Sequence, residues 1–361
     1  MNPGAPDDIV ATHADAAANE REPLLVLDPL RALLEERGLS GGDELCASPI
    51  GSGHSNVTFL LRSGGERELV LRRPPRGPLP PSAHDVLREA RLLRALAPTG
   101  ARVPRVLAVC DDEAVIGAPF YVMERIAGTV ITDAVPPELD TPDERRRLGE
   151  ELVDALVEVH AVDWRACGLE GFSREPERYL ERQLRRFGGL WEQLRTREIR
   201  AVDHVGAWLA EHLPRSPPPT IVHGDYRLCN TMMAARAPAR LVAIFDWEMA
   251  TLGDPLADVG YLCALWVQRD DPELPFEFGG ITRSPGFVTR EELVARYEER
   301  SGRAMTDLRW YRTLALWKAA VFMEGNYRRA ISGTTDDPWL KGFGDGVVQL
   351  AERARALTLG G

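Results

Sequence analysis

The sequence predicts an α+β protein of two lobes, a small β-rich lobe followed by a larger, mainly helical one. Its 361 residues exceed the size of one ordinary domain. With 44% hydrophobic and 27% charged residues, the chain can bury a large core. Short β-prone runs fill the first third, whereas helical periodicity dominates after Arg125. We therefore expect a flexible tail over residues 1–26, a β-rich lobe over 27–124 and a helical lobe over 125–361.

The elements of the small lobe follow from turns and apolar runs. Asp28-Pro29 before an amphipathic run predicts a short helix that ends at Gly38. A second helix is expected over about 82–96, after a proline-rich loop. β-prone runs bounded by turn residues predict five strands, over 44–51, 56–62, 67–73, 105–110 and 119–125.

The large lobe shows helical periodicity with two β-prone interruptions. The helices are expected over 143–160, 176–195 and 202–213, and the chain after 246 is mostly helical in pattern. The interruptions are the runs Thr220–Val222 and Leu241–Phe245. Each of these short runs leads into a segment rich in polar residues, so the chemistry of the protein is expected there.

Composition excludes several classes of function. Forty-four basic and 55 acidic residues give a net charge of −11, so nucleic acid is not expected as a partner. The longest apolar stretch, around Val259–Val267, is far shorter than the roughly 20 residues of a membrane span. The first 22 residues lack the pattern of a secretory signal, and the five cysteines form no metal-type C-x-x-C pair. We therefore expect a reduced cytoplasmic protein that binds no membrane.

Polar groups suited to phosphoryl transfer follow the two short β-prone runs. Asp225 follows the first run, Asn230 lies five residues later, and Asp246 follows the second run. Phosphoryl transfer uses one carboxylate as proton acceptor and an Asn and an Asp as ligands of Mg²⁺. If the two runs form a hairpin, Asn230 lies opposite Asp246 and one ion can contact both. The alternative is that each Asp is an ordinary cap or turn residue.

These motifs resemble the aminoglycoside phosphotransferase-like kinases, whose fold is similar to that of protein kinases. The resemblance extends from about Glu44 to Ala330 and implies a protein-kinase-like bilobal fold. It is closest to the subgroup found fused to, or encoded with, acyl-CoA dehydrogenases. The segments that carry it are Ser55–Thr58, Val70–Pro75, Ala83–Glu89, His223–Asn230 and Asp246–Asp258.

The resemblance implies a role for each residue around the two runs. Asp225 would be the catalytic base, and Asn230 and Asp246 would ligate Mg²⁺. His223 would be a structural buttress of the catalytic loop. Asp258 would brace the amides of that loop, the alternative being an ordinary acidic residue at a helix N-terminus.

The resemblance also implies a nucleotide site in the small lobe. Kinase folds usually place a lysine on the third strand, but only two of the 44 basic residues are lysines, Lys318 and Lys341. Arg72 aligns best with that role, Arg73 is a close second, and Glu89 is the expected partner. The loop over the phosphates would contain Gly51, Ser52, Gly53, Ser55 and Asn56, although such a sequence is also typical of a hairpin turn. The adenine-binding hinge would contain Met123, Glu124 and Ile126.

The sequence therefore predicts a Mg²⁺- and ATP-dependent kinase that phosphorylates a hydroxyl of a small molecule. The subgroup favours a hydroxyacyl-CoA-like acceptor and a functional link to acyl-CoA dehydrogenases. An aminoglycoside or other antibiotic kinase is an alternative within the same chemistry, and a nucleotide-binding pseudokinase is one of a different class. The pattern leaves open the choice between ATP and GTP and the role of Glu248. Arginines that could meet an anionic acceptor, or be solvated helix faces, are Arg178, Arg182, Arg185, Arg186, Arg328 and Arg329.

Overall fold

The computed structural model divides the chain into two compact units, Met1–Ala127 and Gly128–Gly361. It describes residues 8–41, 44–51, 56–63, 67–77, 84–272, 280–333 and 338–360, with the backbone alone for residues 338 and 339. In the sequence, the boundary between the two units falls after Ala127, three residues beyond the predicted boundary between 124 and 125.

The first unit contains a five-stranded antiparallel sheet with one helix inserted between its strands. The five strands and the helix expected from the sequence are confirmed, each within a few residues of its predicted bounds. Its elements are β1 (Ile9–Val10), α1 (His13–Ala18), β2 (Leu25–Val26), α2 (Leu27–Glu36), β3 (Leu45–Pro49), β4 (Val57–Ser63), β5 (Arg67–Arg73), α3 (Val86–Leu96), β6 (Val106–Cys110) and β7 (Phe120–Glu124). The strand order in the sheet is β3-β4-β5-β7-β6.

The N-terminal segment is folded from residue 8 onward, so the expectation of a flexible tail over 1–26 is wrong for residues 8–26. β1 pairs in parallel with β2, and α1 begins with a capping box between Thr12 and Asp15. Asp8 is buried and forms ion pairs with Arg21 at 2.8 Å and Arg76 at 2.5 Å. The sequence-based prediction failed because these partners lie up to 68 residues away along the chain.

Alternation along β5 decides which side chains enter the core of the first unit. Leu69 and Leu71 lie in the same buried apolar cluster as Phe59 of β4. Because successive side chains of a strand point to opposite faces, Arg73 shares the face of these leucines and Arg72 takes the other face. The two neighbouring arginines therefore meet different surroundings.

The second unit is mainly helical, with short antiparallel strand pairs around its polar loops. The helices expected over 143–160, 176–195 and 202–213 are confirmed. Its elements are β8 (Thr129–Val130), α4 (Pro142–His160), α5 (Tyr179–Leu194), α6 (Arg200–Glu211), β9 (Thr220–Val222), β10 (Thr231–Met233), β11 (Leu241–Ile244), β12 (Thr251–Gly253), α7 (Leu256–Leu265), α8 (Arg290–Ser301), α9 (Leu308–Ile331), α10 (Pro338–Lys341) and α11 (Phe343–Thr358).

Two strand pairs hold the polar loops of this unit in place. β9 pairs with β12, and β10 lies between β8 and β11. The loop from His223 to Asn230 therefore leaves one pair and enters the other. The long helix α9 packs against α5, α6, α7 and α11 and forms the centre of the helical part. Across the described ranges, none of the helices combines the length and apolar character that crossing a bilayer requires.

Candidate active site

Asp258 on α7 holds the backbone of the loop that follows β9. One carboxylate oxygen, Oδ2, accepts a hydrogen bond from the amide of His223 at 2.7 Å, and Oδ1 accepts one from the amide of Gly224 at 2.8 Å. Gly224 has φ +85°, and a Cβ there would lie 2.9 Å from the carbonyl oxygen of Met249. Only glycine fits this position without strain. The loop thus approaches the segment after Asp246 closely.

A buried histidine completes the surroundings of Asp258. Nε2 of His160 lies 3.3 Å from Oδ2 of Asp258, and Nδ1 lies 2.9 Å from the hydroxyl of Tyr297. Burial alone raises the pKa of Asp258, but the hydrogen bond from His160, helped by that of the Gly224 amide, outweighs it and holds the pKa below the usual 3.8. Asp258 is therefore a buried anion, and the role of His160 beside it had no signal in the sequence.

His223 links the loop to the end of β11. Its Nδ1 accepts a hydrogen bond from the amide of Asp225 at 3.2 Å, so its Nε2 must carry the proton that it donates to the carbonyl of Phe245 at 2.8 Å. The ring is completely buried and lies against Trp247, with 4.7 Å between centroids. These contacts are those of a residue that fixes the positions of Asp225 and of the chain leading to Asp246.

Both carboxylate oxygens of Asp225 accept hydrogen bonds. Oδ2 accepts one from Nδ2 of Asn230 at 2.7 Å, and Oδ1 accepts one from the hydroxyl of Tyr261. Nε of Arg227 lies 3.5 Å from Oδ1. The side chain of Asp225 is 20% exposed, so it can still meet a molecule from outside. The orientation of this carboxylate is thus set by two neighbours at known atoms.

Tyr261 and Arg227 respond to the charge of Asp225. Burial and the nearby carboxylate raise the pKa of Tyr261 well above its usual 10, which keeps the phenol protonated as a hydrogen-bond donor. Burial lowers the pKa of Arg227, but the carboxylate of Asp225 outweighs it and raises the pKa above the usual 12.5. Tyr261 is three residues beyond Asp258 on α7, so one helix holds both the loop backbone and the carboxylate of Asp225.

Asn230 and Asp246 lie at the same end of the β10–β11 hairpin, but not directly opposite each other. Thr231 is paired with Ile244, and the amide of Phe245 donates to the carbonyl of Asn230 at 2.8 Å. The register expected from the sequence is therefore wrong by one residue, because Asn230 faces Phe245. The pairing shifts between Met232 and Met233, which a symmetric count of residues could not foresee.

The side-chain oxygens of Asn230 and Asp246 suit a hard cation. Nδ2 of Asn230 donates to the carbonyl and to Oδ2 of Asp225, whereas the amide oxygen Oδ1 accepts a long hydrogen bond from Sγ of Cys229 at 4.0 Å and keeps a lone pair for a ligand. Asp246 has φ 62° and ψ 58°, a left-handed conformation that non-glycine residues rarely adopt and that turns the chain just after β11. A carboxylate and an amide oxygen are the donors that Mg²⁺ prefers. In the part of the chain that the structure describes, no group of three or more His, Cys, Asp or Glu could hold a metal ion.

In the first unit, Arg72 contacts Glu89 as the sequence-based pairing expected. Nε of Arg72 donates to Oε2 of Glu89 at 3.0 Å, and these side chains are 13% and 2% exposed. Arg73 is buried on the other face, where it donates to the carbonyls of Pro74 and Ile116. Burial lowers the pKa of Arg73 to about 10. Arg73 is thus committed to structure, whereas Arg72 forms an ion pair with Glu89.

The other residues expected near a nucleotide are only partly described. Gly51 is exposed, with φ +81°, and Asn56 is buried, whereas Ser52, Gly53 and Ser55 lie outside the described residues. Met123 is paired with Val70 across β5 and β7. Oε1 of Glu124 accepts a hydrogen bond from the amide of Arg105 at 2.9 Å, and Ile126 is half-buried.

Comparison with known proteins confirms the resemblance inferred from the motifs. The model of the phosphotransferase enzyme family matches residues 47–311. Acyl-CoA dehydrogenase family member 10 of Mus musculus is 35% identical over 305 residues, which are 84% of this chain and 28% of the mouse protein. Family member 11 of Gallus gallus is 34% identical over 315 residues, which are 85% of this chain and 40% of the chicken protein. The chain thus spans less than half the length of these curated relatives.

A solved structure supports both the fold and the family. A protein of Ralstonia eutropha, assigned provisionally to the aminoglycoside phosphotransferases, has a TM-score of 0.79 and 30% sequence identity. The similarity covers 92% of this chain and 98% of that one. The expected kinase-like α+β fold is confirmed, and the chain belongs to the phosphotransferase enzyme family.

Proposed function

We propose that the protein transfers the γ-phosphate of ATP, as its magnesium complex, to a hydroxyl of a small molecule. The observation that carries this proposal is the hydrogen-bonded pair of Asp225 and Asn230 on a loop braced by Asp258. Asp246 stands at the end of the adjacent strand, one residue beyond the partner of Asn230. A partly exposed carboxylate and two oxygen donors at one end of a hairpin are the groups that phosphoryl transfer requires.

Asp225 acts as the proton acceptor in this proposal. The acceptor hydroxyl hydrogen-bonds to the carboxylate, its oxygen attacks the γ-phosphorus, and its proton passes to Asp225 as ADP leaves. Asn230 and Tyr261 fix the carboxylate, so the attacking oxygen meets it in one orientation. Oδ1 of Asn230 and the carboxylate of Asp246 would hold Mg²⁺, with phosphates and water as its remaining ligands. When bound, Mg²⁺ neutralises the charge on the transferred phosphoryl group.

Arg72 takes the role that a lysine has in most kinase folds. The buried carboxylate of Glu89 holds the guanidinium of Arg72 in place. This contact can direct the other N–H groups of Arg72 to phosphate oxygens. The other proposed nucleotide contacts are Gly51, Ser52, Gly53, Ser55, Asn56, Met123, Glu124 and Ile126.

The acceptor that we propose is a hydroxylated acyl thioester or a similar metabolite in the cytoplasm. The names of the relatives, acyl-CoA dehydrogenase family members 10 and 11, support this class and a functional link to such dehydrogenases. A second candidate is an aminoglycoside, which the likeness to the Ralstonia eutropha protein favours.

A coupled assay tests the proposal directly. ADP release from Mg-ATP is measured with pooled hydroxyacyl thioesters, hydroxy acids and aminoglycosides, beside Asp225→Asn as the matched control. We expect one pool to stimulate ADP release in the wild type but not in the variant. Tight binding of Mg-ATP without turnover in any pool would instead indicate a nucleotide-binding pseudokinase. Equal stimulation in Asp225→Asn would show that the transfer does not use this base.

A further inference from the structure

A lysine is buried in the second unit, and no acidic residue of the described ranges forms an ion pair with it. Lys318 lies on α9 and is 7% exposed, and its ammonium stands 4.9 Å from the centroid of the Phe187 ring on α5. Among the described residues, nothing forms an ion pair or a hydrogen bond with that ammonium. A contact with an aromatic face compensates only part of the cost of removing an ammonium from water.

The two carboxylates whose charges act on Lys318 are engaged by other groups. α9, which carries Lys318, packs against α7, which carries Asp258, and the charges of Asp258 and Asp225 both favour the charged form of Lys318. The oxygens of Asp258 accept hydrogen bonds from two loop amides and lie beside His160. Those of Asp225 accept from Asn230 and Tyr261. The acids near Lys318 are therefore engaged elsewhere, and its N–H groups remain available to a ligand.

One arginine of α5, Arg186, adds positive charge around the same ring, and a second, Arg182, lies over the ring of Tyr179. The guanidinium carbon of Arg186 lies 5.8 Å from the centroid of Phe187, and this side chain is exposed. Arg182, one turn earlier, donates to the carbonyl of Leu252 at 3.3 Å. Leu252 belongs to β12, whose partner β9 leads directly into the catalytic loop. Arg182 therefore lies beside this strand pair, whereas Arg186 and Lys318 meet at the ring of Phe187.

This arrangement is hard to explain as packing alone. An apolar side chain of the same length would fill the space beside Phe187 without the desolvation of a charge. Like charges around one ring also repel each other, and the charge of Arg186 disfavours the ammonium of Lys318. A bound anion would account for both features, because it would supply hydrogen-bond acceptors and cancel the repulsion.

We infer that Lys318 binds an oxyanion of the phosphate acceptor, either a carboxylate or a phosphate, and that the exposed Arg186 lies at the edge of this site. The inference rests on the proposed function and narrows it to acceptors that carry a negative charge near Asp225. Lys318 is then a binding residue for the acceptor and has no part in binding the nucleotide. An aminoglycoside, which is cationic, would be repelled from this site.

Equilibrium binding tests the site without any need for turnover. Isothermal titration compares 3-hydroxybutyrate and 3-hydroxybutyryl-CoA with 1,3-butanediol, which lacks the charge, in the presence of Mg²⁺ and ADP. The wild type should bind at least one anion about 10- to 100-fold more tightly than the diol, as expected for hydrogen bonds to a charged group. Lys318→Met should lose this preference and Lys318→Arg should retain much of it. Lys341→Met, which removes the same charge from an exposed position, should behave as the wild type.

The two anionic ligands, 3-hydroxybutyrate and its CoA thioester, distinguish a carboxylate from a phosphate as the bound oxyanion. A Lys318-dependent preference for 3-hydroxybutyrate identifies a carboxylate subsite, whereas a preference for the thioester alone identifies a phosphate subsite. The inference is overturned if Lys318→Met binds both anions as the wild type does, or if the wild type does not distinguish either anion from the diol.

Kinetics separate a failure of this inference from a failure of the proposed function. Lys318-dependent binding without ADP release in any variant would leave the anion site standing and refute the transfer reaction. ADP release that is unchanged in Lys318→Met would leave the kinase standing and refute the site. The affinity for Mg-ATP should be the same in the wild type and in Lys318→Met.

Discussion

Replacing Lys318 with methionine should stabilise the protein at neutral pH. Burial, together with the charge of Arg186, lowers the pKa of this lysine from 10.5 to about 8. At pH 7 the ammonium is charged in both the folded and the unfolded chain, so the folded state carries the whole penalty. The separation of the two pKa values corresponds to about 3 kcal/mol in the free energy of unfolding. Methionine has a similar length, carries no charge and can keep the contact with Phe187.

The penalty should disappear as the pH rises. Between pH 8 and 10.5 the unfolded chain binds more protons at this site than the folded chain, so the stability of the wild type should increase with pH. Below pH 8 both states bind the proton and the penalty is constant. The stability gained in Lys318→Met over the wild type should therefore be about 3 kcal/mol at pH 7 and shrink across this window.

Urea unfolding followed by tryptophan fluorescence measures this difference. All eight tryptophans lie in the unit Gly128–Gly361, so the signal reports the unit that contains Lys318. The unfolding midpoints of the wild type, Lys318→Met and Lys341→Met are compared at pH 7, 9 and 10.5. A lower stability of Lys318→Met than of the wild type at pH 7, or a difference between them that does not change with pH, would contradict this expectation. Lys341→Met, an exposed position, should change little at any pH.

Four further substitutions test the site residues. Asp225→Asn should lower kcat by about 10²- to 10⁴-fold while Mg-ATP affinity in a titration stays near that of the wild type, and loss of both would mean a structural role. Tyr261→Phe removes one donor to that carboxylate, so kcat should fall about 10- to 100-fold with nucleotide affinity unchanged, and an unchanged kcat would contradict this. Asp258→Asn should lower the free energy of unfolding by about 3–5 kcal/mol, measured in urea, because it breaks a buried charged network. Arg72→Ala should raise the KM for ATP about tenfold, because it removes the guanidinium proposed to contact the phosphates and takes that partner away from Glu89. An unaltered KM would refute the assignment of Arg72 to the phosphates.

Much of the candidate site could be predicted because its residues are close in sequence. Asp225 and Asn230 lie on one loop, and the strand pair that follows brings Asp246 to the same end of a hairpin. The pairing of Arg72 with Glu89 was also within reach, since a strand followed by a helix places them on facing elements. Alternation along the strand then separates Arg72 from Arg73.

The other features of the site could not be predicted, because they depend on contacts between distant parts of the chain. Tyr261 reaches Asp225 from 36 residues away, and His160 reaches Asp258 from 98 residues away. Each is an ordinary residue of a helical pattern, and nothing local to it indicates a partner. The same holds for Lys318, whose burial beside Phe187 depends on how α9 packs against α5. The register of the hairpin was missed because an irregularity in strand pairing leaves no signature in composition.

The position of a divalent ion tests the central claim most directly. A crystal structure of the protein with Mn²⁺ in place of Mg²⁺ and a non-hydrolysable ATP analogue would locate the ion by its anomalous scattering. We expect an ion within about 2.0–2.3 Å of both Oδ1 of Asn230 and a carboxylate oxygen of Asp246, and in contact with phosphate oxygens of the analogue. A nucleotide-bound ion that contacts neither of these residues would contradict the account.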